Sequence, residues 1–231
     1  MKVRDLHPWN LDYRAAVAAQ QRLAAEVVEG PPLEHVETVA AADVSAGRKD
    51  EWIAAAVVVM RLADFEVLEI RTAVMRAAWP YVPGCLSFRE APVVLEAFRQ
   101  LETVPDLVLC DGQGRAHPRR LGLACHVGLA LGVPTVGCAK SLLVGEIERE
   151  PGRPRGSRAA LFDRGERIGT VLRTRGGVKP VYVSVGHRID LASAERWVLA
   201  TAPRFRLPEP ARRAHQEVTS CKKELAGRGH S

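Results

Sequence analysis

Two aspartates in this chain close apolar runs: Asp43 ends TVAAAD and Asp111 ends DLVLCD. A carboxylate at the end of a buried strand has a rigid backbone and is partly desolvated, unlike a surface acid. If the two strands are neighbours, the acids converge on an oxygen-only site. Magnesium prefers such a site: a carboxylate pair, waters and a phosphate oxygen of the substrate. Glu90, in SFRE just ahead of a predicted helix, is a candidate third acid. Taken singly each has an ordinary alternative, since Asp111 before Gly112 suits a turn and Glu90 suits a helix first turn. Lys140 follows the apolar run TVGCA, so its ammonium emerges at a strand end, where a cation beside carboxylates stabilises a phosphate in flight.

From Asp111 the chain continues DGQGRAHPRR. The pattern predicts a glycine loop opening a helix, with Pro118 at its first position and Arg119 and Arg120 in its first turn. Arginines there oppose the helix dipole unless an anion is bound, and glycines let a ligand approach the backbone closely. That local conflict points to a phosphate or base site. His117 has an N-cap alternative, and His187 and His215, the latter in a polar tail, have ordinary surface explanations.

The elements that must position these groups follow from periodicity. Leu11 to Glu29 reads as an amphipathic helix stopped by Gly30-Pro31-Pro32. His35 to Val44, Trp52 to Leu62 and Glu66 to Ala77 read as an antiparallel meander. The period then changes: helix over Ala91 to Glu102, buried strand over Asp106 to Asp111, helix over Pro118 to Leu131, buried strand over Thr135 to Ala139. Arg167 to Thr174 and Val181 to Val185 form a late meander before a helix from Leu191 to Ala200, and the polar tail from Cys221 onward is expected to fray. The fold class is therefore α/β, a mixed sheet of three antiparallel strands plus parallel strands flanked by helices, in one domain spanning 1–231. EREPGRPRGSR, residues 148–158, reads as an exposed basic loop, either a solvated surface or a contact for a phosphate backbone.

Composition limits the choices. Of 231 residues, 47% are hydrophobic and 26% charged, and 33 Lys and Arg against 27 Asp and Glu leave a net charge of +6. The field outside the molecule thus favours polyanions, although many soluble enzymes carry such a charge as a solvated face. No apolar run reaches the length of a membrane span, and the amino terminus lacks a signal-peptide core, so a soluble cytoplasmic protein is expected. The five cysteines are never spaced C-x-x-C, which suits small buried hydrophobes rather than a disulfide framework or zinc site. Phosphate-loop, nucleophile-elbow and zinc-protease motifs are missing.

Several stretches together resemble one family: AADVS at Asp43, PYVPGCLSFRE from Pro80 to Glu90, CDGQGRAHPRRLGLACHVG from Cys110, VGCAKSLLVG from Val136, SVGHRIDLASA from Ser184 and RLPEPARRAH from Arg206 to His215. They run in order over nearly the whole chain and are similar to endonuclease V. The resemblance implies a ribonuclease H-like fold in a monomer, and magnesium-dependent DNA repair, with manganese as a substitute ion. The implied reaction is hydrolysis of the second phosphodiester bond 3′ to a deoxyinosine in double- or single-stranded DNA, leaving a 3′-hydroxyl and a 5′-phosphate. Carried onto matching positions, Asp43 and Asp111 bind the metal, Glu90 completes the acidic cluster, Lys140 contacts the scissile phosphate and His215 lies near the metal or attacking water. Pro80, Tyr81, Val82 and Pro83 correspond to a wedge entering the duplex. Gly84, Leu86, Gly112, His117, Gly122 and Gly137 correspond to the lesion pocket and strand contacts. Gln113 stands where relatives often carry histidine. Two alternatives share the fold: an endoribonuclease acting on inosine in RNA, and a non-catalytic nucleic-acid-binding protein.

Overall fold

The computed structural model describes residues 1–47 and 49–227. Its first helix, α1 (Tyr13–Ala24), starts where the Asp12 carboxylate accepts the Ala15 N–H at 2.8 Å. It ends five residues before the expected Glu29. The Val28 N–H donates instead to His187 Nδ1, and Glu29 bridges Ile189, so tertiary pairing overrides helix propensity.

The expected meander is present as β1 (Thr38–Ser45), β2 (Trp52–Arg61) and β3 (Val67–Arg76), paired antiparallel. β2 is buried along almost its whole length because both faces are covered, while the outermost β3 is only intermittently buried. After α2 (Leu86–Arg99) comes β4 (Leu107–Cys110), parallel to β1; after α3 (Leu123–Leu131) comes β5 (Thr135–Ala139), parallel to β4. Then follow β6 (Glu146–Ile147), β7 (Arg158–Asp163), β8 (Glu166–Leu172), β9 (Val181–His187), α4 (Leu191–Ala200) and α5 (Glu209–Gly227). The nine strands form one mixed sheet in the order β3-β2-β1-β4-β5-β9-β8-β7-β6. The carboxyl ends of β1, β4 and β5, neighbours in that order, therefore share one edge.

Alternate residues of the central strands fill two cores. Ala40, Ala42, Ala55, Val57, Val108 and Cys110 pack under α2 and α3, while Val39, Ala41, Val58, Leu107 and Leu109 pack under α4 and α5. Cys85, Cys110, Cys125 and Cys138 are buried thiols outside any disulfide. No helix among the described residues is long and apolar enough to cross a membrane.

Three local expectations are corrected. α3 begins at Leu123, not Pro118, with Gly122 as its N-cap and Arg120 at φ +56° in the preceding loop; Arg119 and Arg120 never meet the helix dipole, so the anion argument built on them falls. α2 begins at Leu86, which puts Glu90 inside the helix rather than ahead of it. The stretch 148–158, by contrast, is the mostly exposed loop that was expected; it runs into β7, where Arg158 pairs with Glu195, and Arg155 donates to the Leu199 carbonyl. Finally, the tail is helical through Gly227. Val218, Cys221 and Leu225 recur at helical spacing and pack on Ala54, Ala56 and Val74 of the meander, so tertiary burial holds a segment whose mean polarity suggested fraying. Residues 228–231 of that predicted tail lie outside the described residues.

Candidate active site

β1 and β4 lie side by side in register, Ala42 opposite Cys110, so Asp43 and Asp111 leave neighbouring strands at the same edge. Asp43 is almost fully buried: its Oδ1 accepts the Val44 N–H at 2.9 Å and its Oδ2 meets His215 Nδ1 at 2.7 Å. Asp111 Oδ2 accepts from the Lys140 ammonium at the end of β5. Glu90, one turn into α2, faces the same pair. Burial, then the charges of Asp111 and Asp43, push its carboxyl up to about 7.

The Asp111 carboxyl is also raised, by burial and by Asp43, despite the opposing pull of Lys140. One ammonium therefore does not neutralise the acids. For Lys140, burial works against the charge, yet the Asp111 bond and nearby negative charge hold its pKa above the ordinary value. Crowded, half-desolvated carboxylate oxygens with surplus negative charge suit a hard divalent cation. Among the described residues no three acidic, imidazole or thiol groups close a cage; the set is an open two-aspartate site, which leaves room for waters and a phosphate oxygen.

The acid edge opens into a cleft of about 410 Å³ lined by Tyr81, Pro83, Gly84, Leu86, Glu90, Asp111, Gly112, His117, Gly122 and Lys140, along with Ser87, Gln113 and Ser141–Leu143. Within the expected wedge, Tyr81 and Pro83 reach the cleft, while Pro80 and Val82 flank it. Beneath the wedge, buried Trp79 stacks against Phe88 at 5.4 Å. Five of the six expected pocket residues line the cavity. Gly137 does not: a Cβ there would lie 2.3 Å from the Gly114 amide nitrogen, so this glycine lets the loop after β4 pack directly on β5.

His117 and Arg119 clamp the wedge loop from below. The Gly84 carbonyl accepts from His117 Nε2 at 3.1 Å and from the Arg119 guanidinium at 2.5 Å, and Arg119 also donates to Gln20. Burial and the Arg119 charge push His117 down to about 4, so its imidazole is a neutral brace at physiological pH. Arg120 pairs with Asp163 and Glu166 away from the cleft.

Three contributors were not assigned from sequence. Buried Arg89 donates to the carbonyls of Trp79, Gly47 and Asp50, tying the wedge to the loop after Asp43; the charge inside SFRE was its only signal. Gln113 Nε2 donates to the Ser141 carbonyl at 3.0 Å, leaving its buried Oε1 without a protein partner. The third is α5 as a whole, which delivers His215. Pro208-Glu209-Pro210, with prolines and an acid at a helix start, followed by the spacing Ala214, Val218, Cys221 and Leu225, could have revealed it.

Known proteins resemble this chain along most of its length. Residues 21–216 match the family model for Endonuclease V. The chain is 47% identical over 213 residues to an endonuclease V from Nostoc sp., covering 92% of this chain and 96% of that one. A crystal structure of endonuclease V from Streptomyces avermitilis superposes with a TM-score of 0.90 at 41% identity, covering 98% of this chain and all of the other. The Ciona intestinalis endonuclease V, solved with a 24mer DNA containing an inosine followed by a ribo-adenosine, shares the fold at a TM-score of 0.79 and 23% identity, over 93% of this chain and all of the other.

Proposed function

This chain belongs to the Endonuclease V family, whose members are metal-dependent nucleases with a ribonuclease H-like fold, and we propose that it cuts DNA at a deaminated adenine. The bond hydrolysed is the second phosphodiester 3′ to the deoxyinosine, which leaves a 3′-hydroxyl and a 5′-phosphate. The observation that carries this reading is contiguity: Glu90, Asp111 and Lys140 line the same cleft as Tyr81, Gly84 and His117. A base extruded into the cavity thus brings its own strand to the acid edge.

Asp43 and Asp111 are the residues to hold magnesium, or manganese in its place. Such an ion supplies charge neutralisation on the phosphate and a bound water of lowered pKa. Lys140, already oriented by Asp111, lies where it can balance negative charge developing on the phosphate. His215 on Asp43 is a neighbour for the attacking water. Tyr81, held between Pro80, Val82 and Pro83, fills the gap left by a base taken out of the stack. The pairing of a deaminated adenine with thymine is already poor, which lowers the energy needed to extrude it. The net positive charge suits binding to double- or single-stranded DNA, and the protein acts as a monomer in this reading.

End-labelled duplexes with one central deoxyinosine, an undamaged control and a matched inosine RNA test the proposal with magnesium and with chelator. One magnesium-dependent nick, confined to deoxyinosine DNA and one nucleotide beyond the lesion on its 3′ side, is the expected result. Cutting of the RNA alone would move the function to RNA, and tight binding of every inosine strand without a cut would overturn catalysis.

A further inference from the structure

A chain of three side chains behind the cleft fixes the direction of a hydrogen bond inside it. His7 Nδ1 lies 2.8 Å from the Pro8 carbonyl oxygen. A carbonyl only accepts, so Nδ1 carries a proton. Burial, together with the Arg22 charge, lowers the pKa of His7, and its ring is enclosed by those of Trp9, Phe88 and His126. In the neutral ring the other nitrogen, Nε2, is a bare lone pair. It lies 2.7 Å from Nε2 of His126, which must therefore be the donor. His126 is completely buried and its pKa is pushed down to about 3 by that burial and by His7, so it too is neutral, and its Nδ1 is an acceptor. The partner of that Nδ1 is the Ser87 hydroxyl at 3.2 Å.

Ser87 lines the cleft, one helical turn before Glu90. Its only proton is committed to His126, leaving lone pairs alone for a ligand. Gln113, also in the cleft lining, has its nitrogen held by the Ser141 carbonyl, while its buried Oε1 is without a protein partner. A cavity that offers acceptors selects a donor. Hypoxanthine has a ring N1–H, whereas the N1 of adenine, or of unsubstituted purine, carries only a lone pair.

We propose that Ser87 is a specificity-determining residue, polarised by His126 and His7 so that it accepts the ring N–H of an extruded 6-oxopurine and disfavours a base that has only a lone pair there. This rests on the proposed action at deoxyinosine. Two acceptors facing each other out of water lose the bond and retain the desolvation penalty. His7 and His126 are positioning residues, since neither needs to touch the base.

Two measurements on the full chain test the role. In nitrogen-15 NMR of the free protein, His126 should carry its proton on Nε2 and leave Nδ1 bare; the opposite tautomer overturns the proposal. In single-turnover cleavage, wild type and Ser87→Ala are compared on duplexes carrying deoxyinosine or purine deoxyriboside at the same position. Ser87→Ala should lower kcat/KM at deoxyinosine about tenfold, the effect of one neutral hydrogen bond, and should not lower it at purine deoxyriboside, where an opposing acceptor is removed, so the preference shrinks at least about tenfold. An equal loss on both duplexes would make Ser87 merely structural. Cleavage at deoxyinosine by both proteins with the preference intact removes the specificity role alone, whereas a wild type that cuts neither duplex removes the proposed function with it.

Discussion

Around Asp43, Asp111 and Glu90 like charges are crowded together and half-desolvated, whereas the far wall of the adjoining cleft is built from neutral groups held in place by hydrogen bonds. His117 is braced against Gly84 and the Arg119 backbone, and His126 is enclosed between His7 and Ser87. On the acid side Glu90 is pushed upward by burial, Asp111 and Asp43, and Asp111 by burial and Asp43; on the cleft side His117 and His126 are pushed downward into neutrality. The contrast separates two tasks. In the proposed reaction, electrostatic strain sits where a cation and a phosphate would relieve it, and rigid, oriented polarity sits where shape and hydrogen-bond direction would be read.

The contrast breaks first at the aspartates. Asp43→Ala and Asp111→Ala should each lower single-turnover cleavage more than about a thousandfold, at or beyond the loss from removing one electrostatic contact in an active site. Folding should survive, because each change also removes a like charge from its neighbours. Activity is read on a deoxyinosine duplex and folding by thermal unfolding in chelator. Near-wild-type cleavage by either variant would sink the assignment of the metal site, and a large loss of stability would show that the acids are structural.

Glu90 sharpens the same point through pH. A carboxyl moved from 4.5 to about 7 carries an ionisation penalty on the order of 3 kcal/mol in the folded state. As pH rises through 4.5 the unfolded chain loses this proton while the folded protein keeps it, so the penalty grows from pH 4.5 to about 7 and is complete above that. Glu90→Gln should therefore stabilise the cation-free protein at pH 8 and leave it nearly unchanged at pH 4. Denaturant unfolding at the two pH values checks this, and an equal gain at both would assign the effect to packing.

The acid edge was legible in the sequence because strand-end carboxylates announce themselves: TVAAAD, DLVLCD and TVGCAK place charge directly after buried β-runs, and β1, β4 and β5 came out close to the predicted bounds. The cleft was less legible. Its walls come from loops whose geometry depends on distant partners, as with Gly137, which looked like a pocket glycine and is instead a contact between β5 and the loop after β4. Pro118 gave a false helix start because loop backbone, including the positive φ at Arg120, occupies those residues. The β7–β8 hairpin depends on positive φ at Arg164 and Gly165, for which Arg-Gly is a weaker signal than Asn-Gly. α5 was obscured by its polar outer face, although its apolar residues recur at helical spacing.

The smallest of these effects is expected at Tyr81, and it bears on the neutral side of the comparison. Its ring lines the cleft on a loop held by Arg89 at the Trp79 carbonyl and by His117 and Arg119 at the Gly84 carbonyl. The loop should therefore keep its shape in Tyr81→Ala while the stacking surface is lost. Stacking of one aromatic on a base contributes about 1–3 kcal/mol, so affinity for a deoxyinosine duplex should fall roughly tenfold or more. The rate of cleavage at saturating enzyme should change far less, since none of the charged groups has moved. Equilibrium binding in chelator, set beside single-turnover rates in magnesium, separates the two. A rate loss as large as the affinity loss would mean that the wedge also aligns the phosphate at the acid edge, joining the two regions in the chemical step.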